Sequence, residues 1–367
     1  VFLMTAHKAR KRIPILSLSF RVVATVFCVL LLLSYLSALI DPGVFPIAGF
    51  FGLYFIPVLA FNVLLLVIAL LRWSSSAWIP VTAILPSLFF TGFFFRSGDR
   101  NALPESVASA TDGITLMTWN VGGFRSSSDG DAGSAMDDVA GLIGTQNPDV
   151  VSLQEFRIEN PGQIRSMFPQ YPYIRNHFYR LRNGDYVGNV TLSRLPIGEE
   201  GSLPFAGTTN MVLYTDVQYG SGVFRLYNVH LESNNISLTS LIKDVRGGYD
   251  EFSQEFVEAH EKVKKSSSRR GSQVRALLGN ISECGLPAVI CGDVNDPPMS
   301  YCFRTLYEGR KDTFCEAGKG FGATYRVLWP LLRIDYVFVP EDSEVLFHRT
   351  PRVESSDHYP VIVKVHM

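Results

Sequence analysis

The chain has 367 residues, with 33 Lys and Arg against 34 Asp and Glu, a formal net charge of −1, and 47% hydrophobic residues. Such a composition excludes a disordered, collagen-like or disulfide-dense chain. The averages nevertheless cover two unlike parts: residues 1–110 hold eight basic and three acidic residues, a local charge of +5, which leaves residues 111–367 at −6.

Three apolar runs occupy the first part. Val22–Ile40 is uncharged over 19 residues, Gly43–Leu71 is a second uncharged run, and Ala77–Phe95 is the third. A helix needs about 20 apolar residues to cross a hydrocarbon core about 30 Å thick. Only helices or closed barrels satisfy every backbone polar group there. Asp41-Pro42-Gly43 and Arg72-Trp73-Ser74-Ser75-Ser76 divide the runs. Residues 1–96 therefore read as a transmembrane anchor with spans at about 22–40, 47–71 and 77–95. Basic residues ahead of the first run also fit a cleaved signal peptide, which would still leave two apolar runs. Lys8, Arg10, Lys11 and Arg12 put the N-terminus in the cytoplasm by the positive-inside rule. Three crossings then place the rest of the chain on the extracytoplasmic side. Arg96 and Arg100 pull the other way, and a re-entrant second run would reverse the assignment. The runs carry no Asp, Glu, Lys or His, which argues against a transporter or sensor.

Residues 97–112 are small and polar and read as a linker. Residues 113–367 suffice for one large domain. Short runs of strand length and β-branched or aromatic content recur there: Ile114–Trp119, Val150–Leu153, Val187–Leu192, Met211–Val217, Val223–Val229, Ala288–Cys291, Ile334–Val339 and Val361–Val365. Helical patterns cover Ala135–Thr145 and about Asp250–Ile281. Adjacent strands recur in pairs, so mixed sheets covered by helices are expected rather than a simple βαβ alternation.

Polar residues gather at the ends of these strands: Asn120, Gln154-Glu155, Asn228-Val229-His230, Gly292-Asp293-Val294-Asn295, Arg333-Ile334-Asp335 and Ser356-Asp357-His358. Taken singly, each is an ordinary turn, cap or structural residue. As a set they supply hard oxygen ligands suited to Mg²⁺ or Mn²⁺. Two histidines beside carboxylates add acid, base or phosphate-stabilising groups. No serine elbow, phosphate-binding P-loop or HExxH helix is present. Metal-assisted hydrolysis of a phosphate ester is the chemistry this inventory fits.

The ordered motifs LMTWNVGG, PDVVSLQE, GNVTLSRLPI, LYNVHLES, VICGDVNDPP, RIDYVFVP and SSDHYPVIVKV resemble the endonuclease/exonuclease/phosphatase superfamily. That fold is shared by pancreatic-type deoxyribonuclease, exonuclease III, neutral sphingomyelinases and inositol-polyphosphate 5-phosphatases. The resemblance covers about residues 113–367. It implies a four-layer α/β/β/α sandwich of two mixed sheets, and Mg²⁺ or Mn²⁺ as cofactor. It implies Glu155 as principal metal ligand with Asn120 and Asp357 close to it, and Asp293 as the group that orients or deprotonates the attacking water. Asn295 would hold a phosphate oxygen, His230 and His358 would donate to phosphoryl oxygens, and Asp335 would orient His358. Asn189 resembles a secondary position on the substrate side. The implied reaction is in-line attack of water on phosphorus without a covalent enzyme intermediate.

The resemblance leaves the substrate open among nucleic acid, phospholipid headgroup and inositol phosphate. A domain charge of −6 argues against tight binding of duplex DNA. The basic cluster Lys262, Lys264, Lys265, Arg269 and Arg270 reads either as a clamp for a polyanion or as a solvated helix face. Cys284, Cys291, Cys302 and Cys315 lack zinc spacing and read as possible disulfide partners or as free thiols. The competing functional class is a catalytically silent, membrane-tethered binding module of the same fold. The intact set of site residues opposes it. The bilayer, reached through residues 1–96, is the one further partner expected, with no protein partner.

Overall fold

The computed structural model describes residues 15–97, 113–124, 132–234 and 249–367. The basic residues at 8–12 and all of the expected linker but its first residue lie outside the described residues.

The N-terminal part corrects the expectation of three full spans. Helix α1 (Ile15–Ser37) contains Ser17–Ser37, the one described helical stretch long and apolar enough to cross a membrane. The 47–71 run divides into α2 (Ala48–Leu53) and α3 (Phe55–Leu71). Pro57 has no N–H to offer the Leu53 carbonyl, so the helical bonding is interrupted at Tyr54. The 17 residues of α3 reach only about 26 Å at the α-helical rise. The 77–95 run forms α4 (Trp78–Ile84), then 3-10 turns at Leu85–Phe89 and Thr91–Phe93. Pro86 lacks the donor that would continue α4. The three segments still pack together: Leu31, Phe55 and Ala83 share one cluster, and the Tyr35 hydroxyl donates to Ala83 O at 2.8 Å.

Two six-stranded sheets follow. One has the order β13 (Glu344–Arg349), β14 (Val361–His366), β2 (Ile114–Asn120), β3 (Val150–Ile158), β5 (Tyr186–Ser193), β4 (Tyr173–Arg180). The other runs β10 (Arg310–Asp312), β12 (Asp335–Pro340), β9 (Ala288–Asp293), β8 (Gly222–His230), β7 (Met211–Tyr219), β6 (Ile197–Pro204). Each sheet contains one parallel pair, β2 with β3 and β8 with β9, among antiparallel neighbours. The sheets are therefore mixed, as expected. A two-stranded pairing of β1 (Phe95–Arg96) with β11 (Gly320–Phe321) ties the N-terminal part to the domain.

Alternation along each strand builds the layers. Ile114, Leu116, Leu226, Val289, Cys291, Val337 and Val363 fill the space between the sheets. The opposite residues of the first sheet, Met117, Trp119, Val151 and Leu153, face α5 (Ala132–Gln146) through Ala135, Val139 and Ile143. Tyr227, Val229, Ile290 and Tyr336 of the second sheet face α6 (Tyr249–Cys284) and α7 (Tyr301–Tyr307) through Val274, Leu277, Phe303 and Leu306. The result is the four-layer α/β/β/α sandwich. All described cysteines are free, and Cys291 Sγ lies 3.1 Å from Ser152 Oγ across the two sheets.

Candidate active site

The same alternation carries polar residues to one end of the sandwich. Asn120, His230, Asp293 and Asp335 continue the inward-facing rows of β2, β8, β9 and β12. In the ladder His230 is opposite Asp293, and Asp293 is opposite Asp335. Below this row the apolar filling gives way to a buried amide layer. Gln154 Nε2 donates to Asn228 Oδ1 at 2.8 Å, Asn189 Nδ2 donates to Asn228 O at 3.0 Å, and Asn228 Nδ2 donates to Val190 O at 3.0 Å. These bonds cross from one sheet to the other and fix the strand ends relative to each other.

Two site residues have left-handed backbone, Glu155 at φ 50° and Asn295 at φ 56°. Such a conformation in a non-glycine residue costs on the order of 1–3 kcal/mol and gathers at functional sites. At Glu155 the cause is a bulge: Leu153 pairs with Val190 and Phe156 with Gly188, so Gln154 and Glu155 both stand opposite Asn189. The extra residue lets Gln154 point between the sheets while Glu155 turns into a cleft. Glu155 lines that cleft with His230, Gly188, Asn210 and Arg157. At Gly292 a Cβ would lie 2.0 Å from Val229 O, so only glycine permits the close approach of β9 to β8 just before Asp293.

Asn120 Nδ2 donates to Asp293 Oδ2 at 2.9 Å and to Glu155 Oε1 at 3.3 Å, so one amide bridges two carboxylates. Its Oδ1 accepts from Gly122 N at 3.0 Å. Asp357 is the next group: a Cβ on Gly122 would lie 2.8 Å from Asp357 Oδ1. Asp293 Oδ1 also accepts from Asn295 N at 2.8 Å, and Asn295 Nδ2 reaches Asp293 Oδ2 at 3.1 Å. His358 Nδ1 bonds Asp335 Oδ2 at 2.8 Å, and its Nε2 lies 3.8 Å from Asp293 Oδ2. His230 Nε2 lies 3.5 Å from Glu155 Oε1 and makes no hydrogen bond. The structure thus brings Asn120, Glu155, His230, Asp293, Asn295, Asp335, Asp357 and His358 into one constellation. Asn189, fully buried, joins the amide layer through Nδ2, and its Oδ1 has no hydrogen-bond partner among the described residues.

Burial dominates the electrostatics. It pushes the Asp293 carboxyl up to about 7, with Asp335 adding to the rise and His358 opposing it. Burial alone would lower His358, but Asp335 and Asp293 outweigh it and hold the imidazole up at about 10. His230 moves the other way, lowered by burial against the pull of Glu155. The surroundings thus favour the charged form of His358 and the neutral form of His230.

Two supports have no obvious local signal in the sequence. Thr324 Oγ1 accepts the backbone N–H groups of Ile334 and Asp335 at 3.1 Å each, and the Tyr325 ring stands edge-on to His358 at 5.2 Å. Ser356, the first residue of the SDH motif, donates to Asn120 O at 2.7 Å and accepts from His358 N at 3.1 Å. The basic cluster is largely neutralised. Arg269 pairs with Glu232, Arg270 with Asp296, Lys262 with Glu258 and Lys264 with Glu261.

The donor set suits a divalent cation. Asp293, Asp335 and His358 offer ligand atoms within 4.8 Å of one another. Within that trio, His358 Nδ1 and Asp335 Oδ2 already bond each other. The Glu155 side, with Asp357 and the second lone pair of Asn120 Oδ1, offers oxygen alone, as a hard cation prefers.

No curated protein matches the chain. Among solved structures, an endonuclease/exonuclease/phosphatase from Beutenbergia cavernae is 19% identical, with a TM-score of 0.52 over 70% of this chain and 72% of that one. A second, from Bacteroides vulgatus, is 16% identical, with a TM-score of 0.52 over 69% of this chain and 98% of that one. A family protein from Leptotrichia buccalis is 17% identical, with a TM-score of 0.51 over 69% of this chain and 100% of that one. These likenesses show the fold. A family model described as a domain of unknown function matches residues 17–94. The model of the endonuclease/exonuclease/phosphatase family matches residues 117–358, from the middle of the first core strand to His358. The chain belongs to that family, whose fold implies metal-dependent hydrolysis of phosphate esters.

Proposed function

We propose that the chain is a membrane-anchored, Mg²⁺-dependent phosphoester hydrolase that works by in-line attack of water. The observation that carries this reading is the convergence, in one cleft, of the buried Asp293 carboxyl, tied by Asn120 and Asn295, with a His358 imidazole bonded to the buried Asp335 carboxylate. Asp293, at about 7, can accept a proton from water at physiological pH. Asn120 and Asn295 fix both of its oxygens, so the carboxylate presents one direction to that water. His358, held as a cation by Asp335, donates toward a phosphoryl oxygen as charge builds there. His230 has an unused ring nitrogen, Nε2, for a second such contact. Asn295 offers its side-chain amide on the same side. Glu155 and Asp357, with Asn120, would hold Mg²⁺ or Mn²⁺, which would neutralise phosphate charge in a site that otherwise repels anions. Asn189 ties the β5 side of the cleft to Asn228 through its Nδ2.

Residues 1–96 are proposed as the anchor, with α1 as the crossing element. Either one crossing or three is an odd number, so the basic N-terminus and the catalytic domain fall on opposite faces of the bilayer. The domain is then extracytoplasmic. A reporter fused after Met367 should behave as exported; a cytoplasmic signal would refute the topology.

The purified full chain should hydrolyse a generic phosphodiester with Mg²⁺ or Mn²⁺, and EDTA should abolish the activity. Glu155→Gln, Asp293→Asn and His358→Ala should each cut the rate by roughly 10²–10⁴-fold without unfolding the domain. Full activity in all three would sink the site assignment. A panel of single-stranded DNA, duplex DNA, RNA, phospholipids and inositol phosphates identifies the substrate.

A further inference from the structure

The apolar N-terminal segments do more than sit beside the domain. They seat Met299, and Met299 lies four residues after Asn295 on the same buried loop. Every residue from Val294 to Ser300 is buried. The loop is held from the catalytic side by Val294 N to Ile334 O at 2.9 Å, by Arg270 Nη2 to Asp296 Oδ1 at 3.0 Å, and by the Tyr336 hydroxyl to Asp296 O at 2.7 Å. Pro297 and Pro298 then join Asp296 to Met299, with φ locked and no N–H to yield.

From the other side the N-terminal helices close on the same point. The Met299 side chain packs in a cluster with Leu31 of α1, Phe55 of α3 and Ala83 of α4. Its carbonyl accepts from Ser37 Oγ at 2.8 Å, the last residue of α1, whose one hydroxyl proton is shared with Ser34 O at 2.7 Å. Gly52 of α2 backs directly onto this carbonyl: a Cβ there would lie 2.1 Å from Met299 O. The contact therefore uses all three expected spans at once, and it meets the loop that carries the strained Asn295.

We propose that Ser37, Gly52 and the pocket around Met299 are positioning elements of the catalytic centre, so that the docked N-terminal helices hold Asn295 in place for turnover. The proposal rests on the hydrolase reading for its catalytic consequence, but its structural core is independent of it. A Cβ at residue 52 needs about 1 Å more room than exists, since carbon and carbonyl oxygen meet at about 3.3 Å. Pro297-Pro298 is too stiff to absorb such a shift. Misplacement of a positioning group by about 1 Å costs up to about 100-fold in rate.

The test uses the detergent-solubilised full chain. Gly52→Ala should lower kcat about 10- to 100-fold at saturating substrate and Mg²⁺, with KM little changed. It should also speed amide exchange across residues 294–300. Ser37→Ala should lower kcat less, and Ser37→Thr, which keeps the hydroxyl, should restore it. Asn62→Ala is the matched control: Asn62 Nδ2 donates to Phe27 O and Val58 O inside the helical unit, away from Met299. It should lower the thermal midpoint while leaving kcat and loop exchange intact. The proposal is overturned if Gly52→Ala leaves loop exchange and kcat at the wild-type level, or if Asn62→Ala lowers kcat equally at equal thermal loss. Altered loop exchange in a chain with no hydrolase activity would uphold the positioning contact and reject the hydrolase reading instead.

Discussion

Asn228→Ala tests whether the buried amide layer holds the two sheets in register beneath the site. Asn228 is fully buried, and its side chain makes five polar contacts. Its amide hydrogens are shared among Val190 O at 3.0 Å, Leu153 O at 3.3 Å and Thr191 Oγ1 at 3.3 Å. Its oxygen accepts from Gln154 at 2.8 Å and Asn189 at 3.3 Å. Two hydrogens and two lone pairs allow about four full bonds. Gln154 keeps other partners, Thr118 Oγ1 and Ser152 O. The loss is therefore nearer the net value of about 1 kcal/mol per bond than the full desolvation penalty. Adding a small cavity term gives a destabilisation of about 3–5 kcal/mol. Urea unfolding of the detergent-solubilised chain, followed by near-UV circular dichroism, reads this as a lowered midpoint at unchanged slope. Asn228 lies two residues before His230, and Gln154 directly precedes Glu155, so the hydrolysis rate should fall as well. A loss below about 1 kcal/mol with full activity would show that the amide layer fills space and does not set the register.

Three other outcomes follow from the charged groups in and around the site. The raised Asp293 carboxyl holds its proton in the native chain between its ordinary value, near 3.8, and about 7, where the unfolded chain has already lost it. The penalty for ionising it is absent below the ordinary carboxylate range, grows through that window and is complete above about 7. Asp293→Asn should therefore gain stability over the metal-free wild type as pH rises from 4 to 7.5, with little difference at pH 4; a pH-independent difference in urea midpoints would refute the assignment. Arg270 is buried and paired with Asp296, so Arg270→Ala should cost about 3–5 kcal/mol by stranding that carboxylate. Joint replacement of Lys262, Lys264 and Lys265 by Gln should leave both stability and activity within about twofold; a large loss of activity on anionic polymers would restore the clamp reading of this cluster.

Much of the catalytic domain was legible in the sequence because its central strands announce themselves. All eight expected strands form, each buried on both sides or nearly so, and each marked by β-branched and aromatic runs. The four unexpected strands of the two large sheets, β4, β6, β10 and β13, are the four sheet edges. Edge strands are blunted with polar and charged residues that discourage further pairing, and β6 (IGEEGSLP) and β10 (RKD) have no apolar alternation to read. The residues proposed for the site were legible as motif ends, since alternation alone puts Asn120, His230, Asp293 and Asp335 on inward rows.

Tertiary structure decided the rest. Strand periodicity predicts no bulge at Gln154-Glu155; it arises because β3 must match β5 opposite Asn189, and it separates a core amide from a cleft carboxylate in adjacent positions. Which histidine is charged depends on burial and on Asp335, which is 23 residues away from His358 in the chain. The number of full spans was overread, because hydropathy counts apolar residues but does not register where Pro57 and Pro86 interrupt the helical hydrogen bonding. The sequence by itself determined that an oily, basic N-terminal section precedes an acidic domain with the ordered motifs of the endonuclease/exonuclease/phosphatase family, since periodicity, charge and motif order are local properties. Only packing revealed that the two sections meet at Met299, because a contact between residues 37, 52 and 299 leaves no trace in any local pattern.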